Sequence, residues 1–262
     1  LTARGVVGLT GNVKVYNQEG ATTVWSGSGV NVNAANKNYT YIASPDQTGY
    51  SEDYPECMDT SSTCNVVAVT ADGTGVDIIA NDSTLANLSE TEFFENFFGM
   101  TQQQYRNTAV TQEMLSNDID GGSFNPQLWG NEVIWVDMSP GETEVRIPAG
   151  TSWGCSTAGP LGNTDYFTNG ETQCEADSGE IEPIILVVNG NLNLPANAHI
   201  FGLVFVIGDV ISAGNPEITG ALVSYGAVGE NGAVIVRYNS SVIVKGGLNP
   251  NYFITPGGWR DF

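Results

Sequence analysis

Oxygen-bearing side chains gather in two glycine-containing stretches, Asn117-Asp118-Ile119-Asp120-Gly121-Gly122 and Asp72-Gly73-Thr74-Gly75-Val76-Asp77. Calcium takes several oxygen ligands from flexible loops of this kind, so a calcium site is expected first at Asp118 and Asp120. The closing glutamate and the regular ligand spacing of an EF-hand are absent from both stretches. Asp-Gly is also a common turn pair, and turn formation is the competing reading. Proton-transfer chemistry has one histidine to use, His199. It stands at a repeat position whose equivalent is Glu217, in a slot expected to alternate outward, and no Gly-x-Ser-x-Gly elbow accompanies it. A structural histidine is therefore expected, and a hydrolytic triad is not.

The four cysteines, Cys57, Cys64, Cys155 and Cys174, lack the Cys-x-x-Cys spacing of zinc or redox sites. Four cysteines allow three connectivities, and loop economy favours Cys57–Cys64 and Cys155–Cys174. Two such bridges would place the protein outside the reducing cytosol. The loop closed by the second bridge contains Gly159-Pro160-Leu161-Gly162-Asn163, which sustains no regular element. Leu161, Tyr166 and Phe167 make it a candidate contact surface, with packing onto the core as the alternative.

Charge narrows the partners. Eight basic residues against 29 acidic ones give a net charge of −21 and a pI near 4.1. Such a balance repels phosphate backbones and anionic lipid headgroups, so nucleic acid is a poor partner. No apolar run approaches bilayer length, and the chain reads as soluble, with membrane attachment only through an N-terminal helix absent from this sequence.

The elements that must position these residues are announced by a repeat. Gly190, Gly208 and Gly226 are spaced eighteen apart, as are Val187, Phe205 and Val223, and Ile200, Ile218 and Val236. Each unit reads as strand, glycine corner, strand. One unit cannot bury its apolar side alone, whereas stacked copies share a core. The expected fold is mainly β: a β-helix-like β-solenoid built from residues 1–44 and 184–262. The first forty residues echo the pattern more faintly, through Val6 with Val24 and Gly11 with Gly29.

Residues 45–183 are expected as an insertion carrying two short helices and the disulfide loops. Ser89-Glu90-Thr91-Glu92 and Thr101-Gln102-Gln103-Gln104 both fit a capping box with flanking hydrophobic staples. Phe93, Phe94, Phe97 and Phe98 fall at helical spacing, which reads as an anchor holding the insertion to its host. Val133–Val136 and Glu144–Ile147, either side of Ser139-Pro140-Gly141, resemble a hairpin. Arg237 and Lys245 fall near the end of the stack, where charge discourages edge-to-edge pairing.

Both ends of the chain resemble the soluble part of PilX-like proteins, pilin-related type IV pilus assembly components of Gram-negative bacteria. The likeness is carried by Gly8-Leu9-Thr10-Gly11-Asn12 and Thr23-Val24-Trp25-Ser26-Gly27, then by Val187–Leu192, Phe201–Val206 and Gly214–Ala221. The closing Pro256-Gly257-Gly258-Trp259-Arg260-Asp261-Phe262 is similar to a terminal Gly-Ser-Trp-Arg-Asp pattern, with Gly258 in place of serine. The resemblance implies a non-enzymatic, minor-pilin-like protein of the cell surface or extracellular space, anchored by an N-terminal helix. Its partners would be other pilus subunits or a surface protein or glycan, and it lends no catalytic residues. Two rival readings remain: a secreted β-helix enzyme that degrades polysaccharide, and a DNA-uptake receptor. Asp209, the only Asp between Ile184 and Tyr238, leaves the first without a catalytic cluster in the repeats, and the acidic charge counts against the second.

Overall fold

The computed structural model describes residues 1–9, 13–17, 22–32, 40–43, 64–67, 75, 77–120, 131–154, 183–229 and 234–238. In chain order these form β1 (Thr2–Ala3), β2 (Val7–Leu9), β3 (Lys14–Asn17), β4 (Val24–Ser26), β5 (Val30–Val32), β6 (Thr40–Ala43), β7 (Cys64–Val67) and β8 (Ile78–Ile79). Three helices follow, α1 (Ser83–Ala86), α2 (Glu90–Phe98) and α3 (Gln102–Thr108), then β9 (Gln112–Leu115) and α4 (Ser116–Asp120). The remaining strands are β10 (Val133–Asp137), β11 (Val145–Arg146), β12 (Ser152–Trp153), β13 (Ile184–Asn189), β14 (Leu192–Leu194), β15 (His199–Val206), β16 (Val210–Ser212), β17 (Glu217–Ser224) and β18 (Ile235–Tyr238).

The eighteen-residue repeat becomes a hydrogen-bond register. Ile184 lies opposite Gly202, His199 opposite Glu217, and Glu217 opposite Ile235, a shift of eighteen each time, in parallel pairs throughout. The principal sheet runs β7-β6-β3-β18-β17-β15-β13-β10-β9, and only β6 with β7 pairs antiparallel. A second wall is formed by β11-β14-β16, and Val228 bridges Val210 to Val7, whose strand β2 pairs with β5.

Between the walls lies the apolar core. Ile184, Leu186, Val188, Val204, Val206, Ile218 and Leu222 point inward from the principal sheet to meet Val145, Leu192, Leu194, Val210 and Val7. Alternate residues of the same strands, Trp135, Ile185, Val187, Leu203, Phe205 and Val223, face the other way and are covered by Phe93, Phe94 and Phe98 of α2 and Tyr105 of α3. Burial on both faces explains why Ile184–Val188 is continuously apolar, without the alternation of a half-exposed strand. Both capping boxes are present: Ser89 accepts from the Glu92 amide at 3.3 Å while Glu92 accepts from the Ser89 amide at 2.8 Å, and Thr101 and Gln104 repeat the exchange. The phenylalanine run thus anchors the helices to the sheet, as its spacing implies.

Corners stack as closely as the strands. The Gly226 amide donates to Gly208 O at 2.9 Å and the Gly5 amide donates to Gly226 O at 3.1 Å. A Cβ on Gly208 or Gly226 would stand 2.5 Å from the carbonyl oxygen of the glycine below it, Gly190 or Gly208 respectively, so backbone approach is what these corners require of glycine. Gly5 extends the column into the N-terminal segment, a partner the eighteen-residue echo of Gly11 and Gly29 does not reveal.

Two expectations are corrected. Strands β10 and β11 are not a hairpin: β10 pairs in parallel with β13, and β11 with β14 in the other wall. The turn at Ser139 is real, with Glu142 donating to Ser139 O at 3.0 Å, but it steers the chain from one wall to the next. The ladder also extends beyond the two ends of the chain, because β9, β10, β11 and β12 lie between residues 45 and 183 and continue it. Finally α4 closes this end of the core, with Ile119 wholly buried among the inward-facing residues.

Candidate functional site

The outer face of the principal sheet turns polar where the α2 and α3 layer stops. Parallel register sets His199, Glu217, Ile235 and Lys14 in one column across β15, β17, β18 and β3, with Phe201, Thr219, Arg237 and Tyr16 in the next outward column. Arg237 reaches back one column, and its Nε donates to Glu217 Oε1. Its guanidinium lies over the Tyr16 ring, 4.4 Å from the centroid. Glu217 and Arg237 are 4% and 8% exposed, so this is a desolvated ion pair and not a surface one. The planar, weakly hydrated guanidinium suits such a position, since it can pair and stack at once.

His199 is half-buried opposite Glu217. Burial pushes its imidazole below the ordinary 6.5; Glu217 opposes that shift and Arg237 adds to it. A neutral imidazole, a carboxylate already engaged by a guanidinium, and an aromatic platform form a clamp across four strands.

Sequence reasoning placed His199 in an outward slot, which holds, but read Arg237 as an edge charge. The structure corrects this: β18 is paired on both sides, by β17 and β3, so Arg237 is interior. For the same reason it is no part of an accessible basic patch. The pairing was visible in principle, since Arg237 occupies the slot eighteen after Thr219, diagonal to Glu217 on the same face.

A second network ties α3 to the sheet. Arg106 contacts Glu113 Oε1 and Asp137 Oδ2, each at 3.0 Å, and lies over Trp135 at 5.0 Å. Trp135 Nε1 and Asn189 Nδ2 donate to Asp137 Oδ1 at 2.9 and 2.8 Å. Burial works against the Asp137 charge, but the hydrogen bonds from Asn189 and Trp135, with Arg106, outweigh it and hold the carboxyl below its ordinary 3.8.

Of the expected cation ligands, Asp118 lies in helix α4, where its Oδ2 accepts from the Leu115 amide at 2.9 Å, the bond of a helix start. Asp120 is the last residue of that helix. Among the described residues no group of three or more His, Cys, Asp or Glu side chains is placed to hold a metal. Cys64 opens β7, whereas Cys57, Cys155, Cys174, Leu161, Tyr166 and Phe167 lie outside the described residues, as do Lys245 and the closing segment from Pro256. No helix among the described residues is long and apolar enough to cross a membrane.

Residues 155–233 match a domain of unknown function, DUF8470. The DUF8470 span contains β13 to β17, the strands that carry the repeat, together with His199 and Glu217. Arg237 and Tyr16 come from outside it, so the clamp joins the DUF8470 segment to flanking chain. No curated protein and no solved structure matches the sequence.

Proposed function

We propose that this chain is a β-solenoid whose role is structural and adhesive: a non-enzymatic, minor-pilin-like protein of the Gram-negative cell surface, acting in pilus assembly or adhesion. The observation that carries the reading is the joining of the segments that resemble PilX-like proteins. Gly8-Leu9 in β2, Val24–Ser26 in β4, and the repeats of β13, β15 and β17 come from opposite ends of the chain and share one stack of parallel strands. The shift of eighteen residues per strand and the column of close-packed glycine corners support the solenoid reading. Rigid stacks of this kind serve as scaffolds that present loops, and the partners proposed are other pilus subunits or a surface protein or glycan.

The test is fractionation and phenotype in the bacterium that encodes the chain. Sheared surface filaments should contain the protein, and deletion of its gene should lower pilus number or adhesion, with restoration on complementation. Absence from surface and filament fractions would refute the proposal. So would turnover of a polysaccharide by the purified protein that an Asp substitution abolishes.

A further inference from the structure

Strands β12 and β13 lie in one row, both paired with β15. Ser152 stands opposite His199 and Trp153 opposite Ile200, while Ile184 stands opposite Gly202. One slot of β15 is left between them, that of Phe201, and Gly154 fills it. A Cβ on Gly154 would stand 2.5 Å from the Phe201 carbonyl oxygen and 3.4 Å from the Ile184 nitrogen. The alternation of faces also runs across the break. Trp153, Ile184 and Leu186 point into the core between the walls, whereas Ile185 and Val187 face the helices. With Gly154 between Trp153 and Ile184, the row offers consecutive positions along all 8 residues of β15.

Offsets in register agree. His199 follows its partner Ser152 by forty-seven residues, and Leu192 follows its partner Val145 by forty-seven. Twenty-nine residues, 155–183, separate Gly154 from Ile184. Without them both offsets become eighteen, the shift of the rungs from β13 to β18. We infer that residues 155–183 are an insertion in the middle of one strand, and that residues 133–154 form a repeat unit of the same stack as those that follow. Strand β10 joins this unit through a longer corner. Asp137 pairs with Asn189 and Val145 with Leu192, so the Ser139 turn holds five residues more than the Gly190 corner beside it. Gly154 has a φ of 74°, and this left-handed conformation takes the chain out of the strand. An insertion whose two ends occupy adjacent slots leaves the ladder intact, and its length adds closure entropy only slowly. The DUF8470 match opens at residue 155 and so leaves out the first half of the interrupted strand.

The experiment excises residues 155–183 from the full chain, joining Gly154 directly to Ile184, and compares two excisions that miss the register by one. Removal of 156–183 keeps one residue too many, and removal of 154–183 leaves one too few. Either slip sends half of the strand to the wrong face or forces a bulge. The exact excision should give a β-sheet circular dichroism spectrum and a single cooperative melt, about 5 °C or more above the melts of both neighbours. In a fourth variant a Gly-Ser linker of about ten residues replaces 155–183, and it should fold as well. An exact excision that melts no higher than its neighbours would overturn the interrupted strand. Its failure to fold while the linker variant folds would do the same, and failure of both would overturn the insertion itself.

Discussion

Phe205 is the side chain on which the helical layer depends, and its truncation tests that dependence. The ring is fully buried, and its centroid lies 5.7 Å from Phe93, 5.3 Å from Phe94, 5.5 Å from Phe97 and 5.0 Å from Phe98. Phe205→Ala removes the phenyl group from between the sheet and all four helix phenylalanines. The lost transfer free energy is about 1.5–3 kcal/mol, and the cavity term brings the total to about 4 kcal/mol. The rings opposite cannot collapse far, because Phe94 and Phe98 are already held by Tyr105 at 5.6 and 4.3 Å. Edge-on geometry with Phe94, Phe97 and Phe98 adds a share of aromatic pair energy that Leu cannot replace, so Phe205→Leu should cost about 1.5 kcal/mol. Urea titration followed by far-ultraviolet circular dichroism measures both, with Glu95→Gln as a control on the same helix. A cost below about 1 kcal/mol for Phe205→Ala would refute the reasoning, since no buried ring surrounded by four others can be removed so cheaply.

Two further outcomes are expected. Arg237→Met should cost about 3 kcal/mol by leaving Glu217 desolvated and unpaired, whereas the double change Glu217→Leu with Arg237→Met should recover most of it in the same urea assay; equal costs would remove the case for a buried pair. The His199 imidazole is held below 6.5, so the unfolded chain binds protons first: this contribution is fully present above about pH 6.5 and is lost as pH falls through the lower folded value. The unfolding free energy of the natural protein minus that of His199→Gln should therefore decline on acidification from pH 7.5 to 5, and the ring resonance of the only histidine should titrate below 6.5 in the folded protein.

The parts of this fold that a reader of the sequence can find are those where spacing is repeated without interruption. From β13 to β18 each turn has the same length, so the offset in sequence equals the offset in register. Upstream the rule breaks, although the ladder continues. Val133 pairs with Ile185 and Gln112 lies beside Ile134, offsets unlike eighteen and unlike each other. A parallel ladder asks only that inward positions be apolar and backbones meet; the length of the connecting loop is free, and periodicity is lost with it. Pro140-Gly141 misleads for a related reason, since a turn signal states that the chain bends without stating which wall it joins next. Charges were harder still. Glu217 and Arg237 look like surface residues until the neighbours of β18 are known, because β3, from the beginning of the chain, is what covers that edge. The stretch ending at Asp77 read as a turn or a cation loop, and the burial of Asp77 belongs to tertiary structure that its spacing does not announce.

The row beside β17 is assembled from two distant pieces: Ile235–Tyr238 lies against Glu217–Gly220, and Thr2–Ala3 against Val223–Ser224. During synthesis Thr2–Ala3 and Lys14–Asn17 therefore emerge with one of their two neighbouring strands more than two hundred residues away, still untranslated. Val7, Leu9 and Val24, all fully buried at the end, must stay exposed or be shielded in the meantime. Such high contact order slows closure and lengthens the interval in which unpaired strands can aggregate. Delivery of the nascent chain in an unfolded state, with assembly deferred until the last repeats have emerged, is the folding route this topology favours.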